Sequence, residues 1–532
     1  MQQSSFFCNG SEFRLRDLTS RVSQQKLKAD FIAYLDGFSP NVQEILSKFK
    51  FRNQIDTMVD ADILGAVIEK FVSPTINLAP FPVLDDNGRI RMPALDNHTM
   101  GTIFEELIRR FNEENNEEAG EHFTPRDVVE LMADLIFLPV ADQIKDSTYS
   151  VYDGASGTGG MLTVSQDRLQ ELAQRNNRTV SIHLFGQEIN PETYAITKAD
   201  MLLKGEGAEV DNIAYGSTLA SDGFPSRQFD FMLSNPPYGK SWKNDAEKMG
   251  GKKGIQDPRF VNNFAGISDF SMIPRTSDGQ LLFLLNNASK MKETTELGSR
   301  IAEVHNGSSL FTGDAGQGES NARRYLIERD LVEAIISLPE NMFYNTGIGT
   351  YIWVLSNRKA GTPREGKIQL IDATNMKSPL RKNLGKKNCE INSTIRHKIL
   401  ELFLDFKENE YCKIFDNSAF GFYKVVVLRP QLDDSGKPLH DKRGKLIANK
   451  DLTDTEQIPL DYEGGIDAFI SKEVLPYAPD AWVDEKQTKI GYEISFTKHF
   501  YKPVQLRELS EIVADIRALE VETDGLLGEV LG

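Results

Sequence analysis

Four short apolar runs between residues 148 and 238 each end in a turn of glycine, acidic or amide residues. That repetition limits the fold more than any other feature of the chain. Tyr149–Tyr152 leads into Asp153-Gly154-Ala155-Ser156-Gly157-Thr158-Gly159-Gly160. His183–Gly186 ends at Gln187-Glu188, and Asn212–Tyr215 at Gly216-Ser217-Thr218-Leu219. Phe229-Asp230-Phe231-Met232-Leu233 runs into Ser234-Asn235-Pro236-Pro237-Tyr238. Short apolar runs bounded by turn chemistry read as buried strands. Helical stretches separate them, which is the rhythm of an α/β, doubly wound, mostly parallel sheet. In such sheets ligands collect at the carboxyl ends of the strands, and all four turns fall there. Arg300–Val304, Leu331–Ser337, Tyr351–Leu355 and Ile368–Ile371 read as further strands.

The flanking regions differ. Residues 1–111 are expected to form an N-terminal helical domain, with Val42, Ile45, Leu46 and Phe49, and Ile63, Leu64, Val67, Ile68 and Phe71, at helical spacing. A helix is expected over 99–111. Residues 112–400 make the sheet domain, opened by Glu121-His122-Phe123-Thr124-Pro125-Arg126-Asp127. Thr at N-cap, Pro at N1 and Asp at N3 mark a helix start, whose free N–H groups could hold a carboxylate or simply be well capped. Residues 401–503 are expected to be an irregular insertion and connector, with turns across 430–465. Over 504–532 a terminal helix carries Leu506, Leu509, Ile512, Val513, Ile516 and Leu519 as one apolar stripe, suited to its own domain or to a partner.

Several classes are disfavoured. The glycine turn fails the nicotinamide fingerprint, because Leu162 stands where its last glycine belongs. Gly361 with Gly366-Lys367 has phosphate-loop spacing, but Ile368 replaces the required Ser or Thr. Cys8, Cys389 and Cys412 form no C-x-x-C pair, so neither a disulfide framework nor a metal site is suggested. No apolar run approaches eighteen residues, and no secretory signal is seen; a cytoplasmic protein without a membrane segment is expected. The net charge of −17 is wrong for a chain that grips nucleic acid alone. If DNA is the substrate, basic loops or a basic partner must supply phosphate affinity. Lys240, Lys243, Lys248, Lys252, Lys253, Arg259 and Arg275 lie among glycines after Tyr238, either a solvated loop or a phosphate-contacting lid.

A glycine turn after the first strand, an acid after the second and an acceptor-aromatic cluster after the fourth suit one task. They hold an adenosyl cofactor and present its reactive group to a planar amine. An exocyclic adenine amine is a poor nucleophile because its lone pair is delocalised into the ring. Accepting its two hydrogens on the Asn235 side-chain oxygen and the Pro236 carbonyl favours a pyramidal nitrogen, which stabilises the transition state more than the ground state. Pro237 stiffens the turn and Tyr238 stacks on the base, which must first be flipped from a duplex.

The ordered set Phe123-Thr124-Pro125, Asp153 through Gly160, Glu188 and Asn235-Pro236-Pro237-Tyr238 resembles the amino-methyltransferases that use S-adenosylmethionine. More narrowly it resembles the modification subunit of type I restriction-modification systems, N6-adenine DNA methyltransferases. Asp257-Pro258-Arg259-Phe260, Leu338-Pro339, Phe343 through Gly347 and Gly491-Tyr492-Glu493-Ile494 extend the likeness. The resemblance implies a Rossmann-like methyltransferase fold and S-adenosylmethionine as cofactor. It places Glu121, His122, Phe123, Thr124, Pro125, Arg126, Gly157, Thr158 and Gly159 at the methionine end, with Asp153 shaping that pocket. It gives Glu188 the ribose, Ser217 (where the family often has Asp or Asn) the neighbourhood of the cofactor adenine, and Phe343 a second contact to the flipped base. It implies double-stranded DNA as substrate, a separate specificity subunit serving two modification subunits, and a restriction-translocase subunit that joins them.

Lack of a Pro-Cys dipeptide argues against C5-cytosine methylation, which needs a thiolate. Ser in place of Asn235 would suggest N4-cytosine. Protein-glutamine or RNA methylation and a silent scaffold of the same fold are the alternatives. Length and the long C-terminal region disfavour the first, and intact Gly157, Gly159, Glu188 and Asn235 the second.

Overall fold

In a computed structural model the structure describes residues 8–20, 23–79, 81–95, 103, 107, 124–203, 209–344, 346–501 and 508–519. The expected helix over 99–111 and the site residues Glu121, His122 and Phe123 lie outside these, residues 103 and 107 apart. The chain divides into two compact units, Met1–Ile494 and Ser495–Gly532.

The first unit is built on a nine-stranded sheet: β1 (Thr148–Asp153), β2 (Ser181–Glu188), β3 (Ile213–Tyr215), β4 (Phe231–Ser234), β5 (Arg300–Asn306), β6 (Val332–Ser337), β7 (Thr350–Ser356), β8 (Lys367–Asp372) and β9 (Cys412–Asp416). Their spatial order is 3-2-1-4-5-7-6-8-9. β3-β2-β1-β4-β5 pair in parallel, and β7 enters antiparallel to both β5 and β6. The strand order reverses between β1 and β4, so their carboxyl ends diverge and leave a crevice. β4 reads as a continuous apolar run because both its faces are covered: every one of its residues is buried. Tyr152 stacks on Phe229 with centroids 4.5 Å apart at 5°.

Among the described helices are α1 (Gln24–Asp36), α2 (Pro40–Lys48), α3 (Phe51–Asp60), α4 (Leu64–Phe71), α5 (Arg126–Phe137), α6 (Gly160–Arg175), α7 (Pro191–Leu203), α8 (Gln280–Ser289), α9 (Gly318–Glu328) and α10 (Ser393–Asp405). α1–α4 enclose a separate small core of Leu27, Phe31, Leu35, Ile55, Leu64 and Ile68. α2 docks on α7, where the Tyr194 hydroxyl donates to Glu44 Oε1 and Lys198 Nζ to Glu44 Oε2, both at 2.8 Å. Lys48 Nζ lies 3.4 Å from the centroid of Tyr215, at the end of β3.

The region expected to be irregular after residue 400 is more ordered than that. β9 completes the central sheet, so the sheet runs past the expected boundary. Gly421–Leu428, Asp454–Pro459, Trp482–Val483 and Lys489–Tyr492 form a second, antiparallel sheet over Val425, Val427, Ile458 and Ile470. It is locked to the first by Arg323, fully buried on α9, which donates to the carbonyls of Tyr492, Ser309 and Thr312. Burial lowers that guanidinium to about 10. The likeness at Gly491-Tyr492 has its physical basis here: a Cβ on Gly491 would come within 2.5 Å of Phe422.

In the second unit residues 509–519 are helical, and Leu509, Ile512, Val513, Ile516 and Leu519 are all exposed. No helix among the described residues is long and apolar enough to cross a membrane.

Candidate active site

The carboxyl ends of β1, β2, β3 and β4 surround a cavity of about 260 Å3. Of the residues expected from sequence, Thr124, Arg126, Asp153, Gly157, Thr158, Glu188, Ser217, Asn235 and Pro237 line it. Pro125, Gly159, Pro236 and Tyr238 adjoin lining residues in the chain without lining the cavity themselves.

The glycine turn after β1 is tied to the end of β2. Gly157 N–H donates to Glu188 Oε2 at 2.8 Å and Ser156 N–H to the Gln187 carbonyl at 3.1 Å. Gly159 has φ of 80°, and a Cβ there would stand 2.8 Å from Thr197 Cγ2. Thr197 in turn donates its hydroxyl to the Gly157 carbonyl at 2.8 Å. The turn therefore needs glycine for its left-handed backbone and for the close passage of α7. Glu188 Oε1 accepts from Asn190 N–H at 2.7 Å, so the carboxylate is held at both oxygens on the cavity wall. The Ser217 hydroxyl accepts from Ala220 N–H at 3.1 Å.

Asp153 is buried at the end of β1. Its Oδ1 accepts from Ala155 N–H at 2.9 Å and from the Ser234 hydroxyl at 2.7 Å. Burial raises its carboxyl to about 7, the two hydrogen bonds oppose the rise, and the Glu188 charge adds to it.

Asn235 follows β4. Its Nδ2 donates to Thr124 Oγ1 at 3.0 Å, while its Oδ1 is buried with no partner. Ser156 Oγ, also on the cavity wall, is a second buried atom without a partner. Two such atoms in one cavity mark a place prepared for polar ligand groups. Thr124 thus does not cap the helix as expected: α5 begins at Arg126 with Pro125 at N-cap and no side-chain cap bond. Asp127 of its first turn instead accepts from Lys387 Nζ at 3.0 Å and Ile391 N–H at 2.9 Å.

Phe343 is not brought to the cavity. It is 1% exposed within the main core, so it presents no face to a base. The aromatic residues that line the cavity are Trp242 and Phe283, with Met161, Leu219 and Ile189 as apolar wall. Leu219 belongs to the turn that the sequence marks after β3, whereas Met161, Phe283 and Ile189 are not singled out there, although Ile189 carries a signal, an apolar residue directly after the acid that ends β2. Arg259 is likewise not a phosphate contact. It donates to the Thr218 carbonyl, the Leu219 carbonyl and Asn286 Oδ1, and pairs with Asp257 at 2.7 Å. Asp257-Pro258-Arg259-Phe260 is therefore a brace for the cavity wall after β3.

The sheet order and a glycine turn joined to an acid at the next strand define the fold of the S-adenosylmethionine-dependent methyltransferases. The chain is similar to a type I restriction-modification system methyltransferase subunit from Streptococcus thermophilus, with a TM-score of 0.55, 22% identity and 76% of each chain covered. Residues 95–420 match the N-6 DNA Methylase family, and the chain belongs to it. Among curated proteins it is 26% identical over 329 residues to the MjaIX type I restriction enzyme methylase subunit of Methanocaldococcus jannaschii, covering 62% of this chain and 52% of that one. It is 29% identical over 318 residues to the MpnII methylase subunit of Mycoplasma pneumoniae, covering 58% and 52%. The chain thus spans about half the length of the curated relatives it matches.

Proposed function

We propose that the chain is the methyl-transferring subunit of a type I restriction-modification complex, acting on N6 of an adenine flipped out of double-stranded DNA. The observation that carries this reading is the buried, unpartnered Oδ1 of Asn235, held by Thr124 on the wall that also carries the glycine turn and Glu188. The residues fit S-adenosylmethionine, which would supply an electrophilic methyl on sulfur. The segment from Thr124 to Arg126 and the turn from Gly157 to Gly159 would hold its methionine end. Glu188, on the cavity wall, would accept from the ribose hydroxyls, with Ser217 near the adenine. Asn235 Oδ1 and the Pro236 carbonyl would accept the two amine hydrogens of the target adenine, directing the nitrogen lone pair outward. Pro237 would hold the turn and Tyr238 would stack on the base.

A separate specificity subunit would choose the sequence, two copies of this chain would share it, and a restriction-translocase subunit would join them in the cytoplasm. The exposed apolar stripe on residues 509–519 supports docking of that kind. Truncation before Gln505 is expected to weaken assembly on a sizing column more than cofactor binding.

Labelled cofactor, the chain and its specificity partner are expected to label DNA. Label in protein or RNA instead would overturn the reading. Asn235→Ala should abolish transfer while cofactor binding and assembly persist.

A further inference from the structure

The loop Gly250-Gly251-Lys252-Lys253-Gly254 takes no part in the site described above, yet it is built rather than loose. Gly250 and Gly251 have φ of 98° and 78°, left-handed values that other residues rarely adopt. Gly251 N–H donates to the Ala246 carbonyl and Gly254 N–H to the Gly251 carbonyl, both at 2.8 Å. A Cβ on Gly254 would come within 2.4 Å of the Gly250 carbonyl oxygen, so the turn closes only on glycine. Both ends are anchored. Trp242 is buried and donates its Nε1–H to the Arg275 carbonyl at 3.0 Å, and Ile255 is buried on the other side.

Position gives the loop its meaning. Trp242 and Asp245 line the cavity, and the short helix Lys243–Lys248 carries the chain onward by about 9 Å to the loop. Lys252 and Lys253 are exposed, and among the described residues neither has an ion pair or hydrogen bond. Lys252 also lines an open groove of about 1000 Å3 with Lys489 and Asp269, in which Arg275 is paired with Glu319 and the buried Arg324 with Glu328. In a chain of net charge −17, two unpaired lysines a short helix away from the catalytic cavity are where a polyanion meets least repulsion. Exposed lysines ordinarily belong to a solvated face. A rigid turn that holds two of them unpaired at the end of the cavity wall is a different arrangement.

We infer that this loop and groove carry the sugar-phosphate backbone beside the flipped nucleotide, with Lys252 and Lys253 each meeting one phosphate. The inference rests on the DNA reading above and locates the phosphate affinity that the acidic composition otherwise lacks.

The test uses the full chain assembled with its specificity partner, a short duplex oligonucleotide as probe, and the Lys252→Gln/Lys253→Gln double variant. The slope of log Kobs against log salt concentration is expected to become shallower by about 1.8, at roughly 0.9 per lost phosphate contact. Cofactor affinity and Tm should not move, and Lys252→Arg/Lys253→Arg should keep the wild-type slope. A slope equal to wild type in the Gln variant overturns the inference. So does an unchanged slope with loss of the specificity partner, which assigns the lysines to a protein contact. Methyl incorporation into DNA by the wild type, scored in the same preparation, separates the two failures. No incorporation defeats the functional reading, whereas incorporation with an unchanged slope defeats only the loop.

Discussion

Thr124→Val tests the core of the site with almost no change of shape. Valine keeps the branched volume but removes the oxygen that receives Asn235 Nδ2 at 3.0 Å. A buried donor left unpaired costs about 1–3 kcal/mol, and the carboxamide loses what holds its Oδ1 in place. If that contribution is lost wholly from the reacting arrangement, the methyl-transfer rate falls roughly 5- to 150-fold. The assay is single-turnover methyl transfer to duplex DNA at saturating cofactor, with cofactor Kd measured by calorimetry alongside. Thr124→Ser keeps the hydroxyl and is expected to stay within about threefold of wild type, because a hydrogen bond and not a methyl contact is at stake. A valine variant as fast as wild type would refute the argument. Equal losses in the valine and serine variants would also refute it, by assigning the effect to packing.

Cofactor affinity is expected to rise with pH through about 7, where the buried Asp153 carboxyl ionises and can receive the cofactor ammonium group. Titration at pH 6 and 8 should show it, Asp153→Asn should flatten it, and a flat wild-type profile would count against this role. The same raised carboxyl makes the folded state bind its proton more tightly than the unfolded state. Its contribution to stability is therefore full below about 4 and lost as pH rises through about 7. Gly159→Ala must place a side chain at φ of 80° against Thr197, costing about 1–2 kcal/mol for the backbone alone. Its Tm and cofactor affinity should both drop, and an unchanged affinity would mean the turn is not the cradle proposed. Arg323→Lys cannot satisfy three carbonyls with the same planar fork. Chemical denaturation should show a loss of at least about 2 kcal/mol.

The strands and the edge on which the site sits were readable because β1, β2 and β4 end in buried apolar runs closed by turn residues, a pattern with few other meanings. Cys412–Asp416 was not, since an edge strand with one covered face alternates weakly and resembles a loop. The two-residue strand Trp482–Val483 leaves no periodicity at all. Within the site, glycines and carboxylates announce themselves through backbone and charge chemistry. Thr124 and Arg259 do not, because the partners that decide their roles lie 111 and 41 residues away. A threonine before proline satisfies the local rule for a cap, and only the distant Asn235 shows where its hydroxyl goes. Phe343, assigned to the base by resemblance alone, lies buried in the core, and nothing local to an aromatic residue separates those two roles.

Arg323 sets a schedule for synthesis. Its carbonyl partners Ser309 and Thr312 precede it in the chain, but Tyr492 follows it by 169 residues. At about 5–20 residues per second a ribosome needs roughly 8–34 s to make that last acceptor. Until then the guanidinium can be desolvated only at a penalty, so the junction between the two sheets stays wet until Tyr492 has been made. Docking of the second sheet on the first is thereby deferred until the strand Lys489–Tyr492 has emerged.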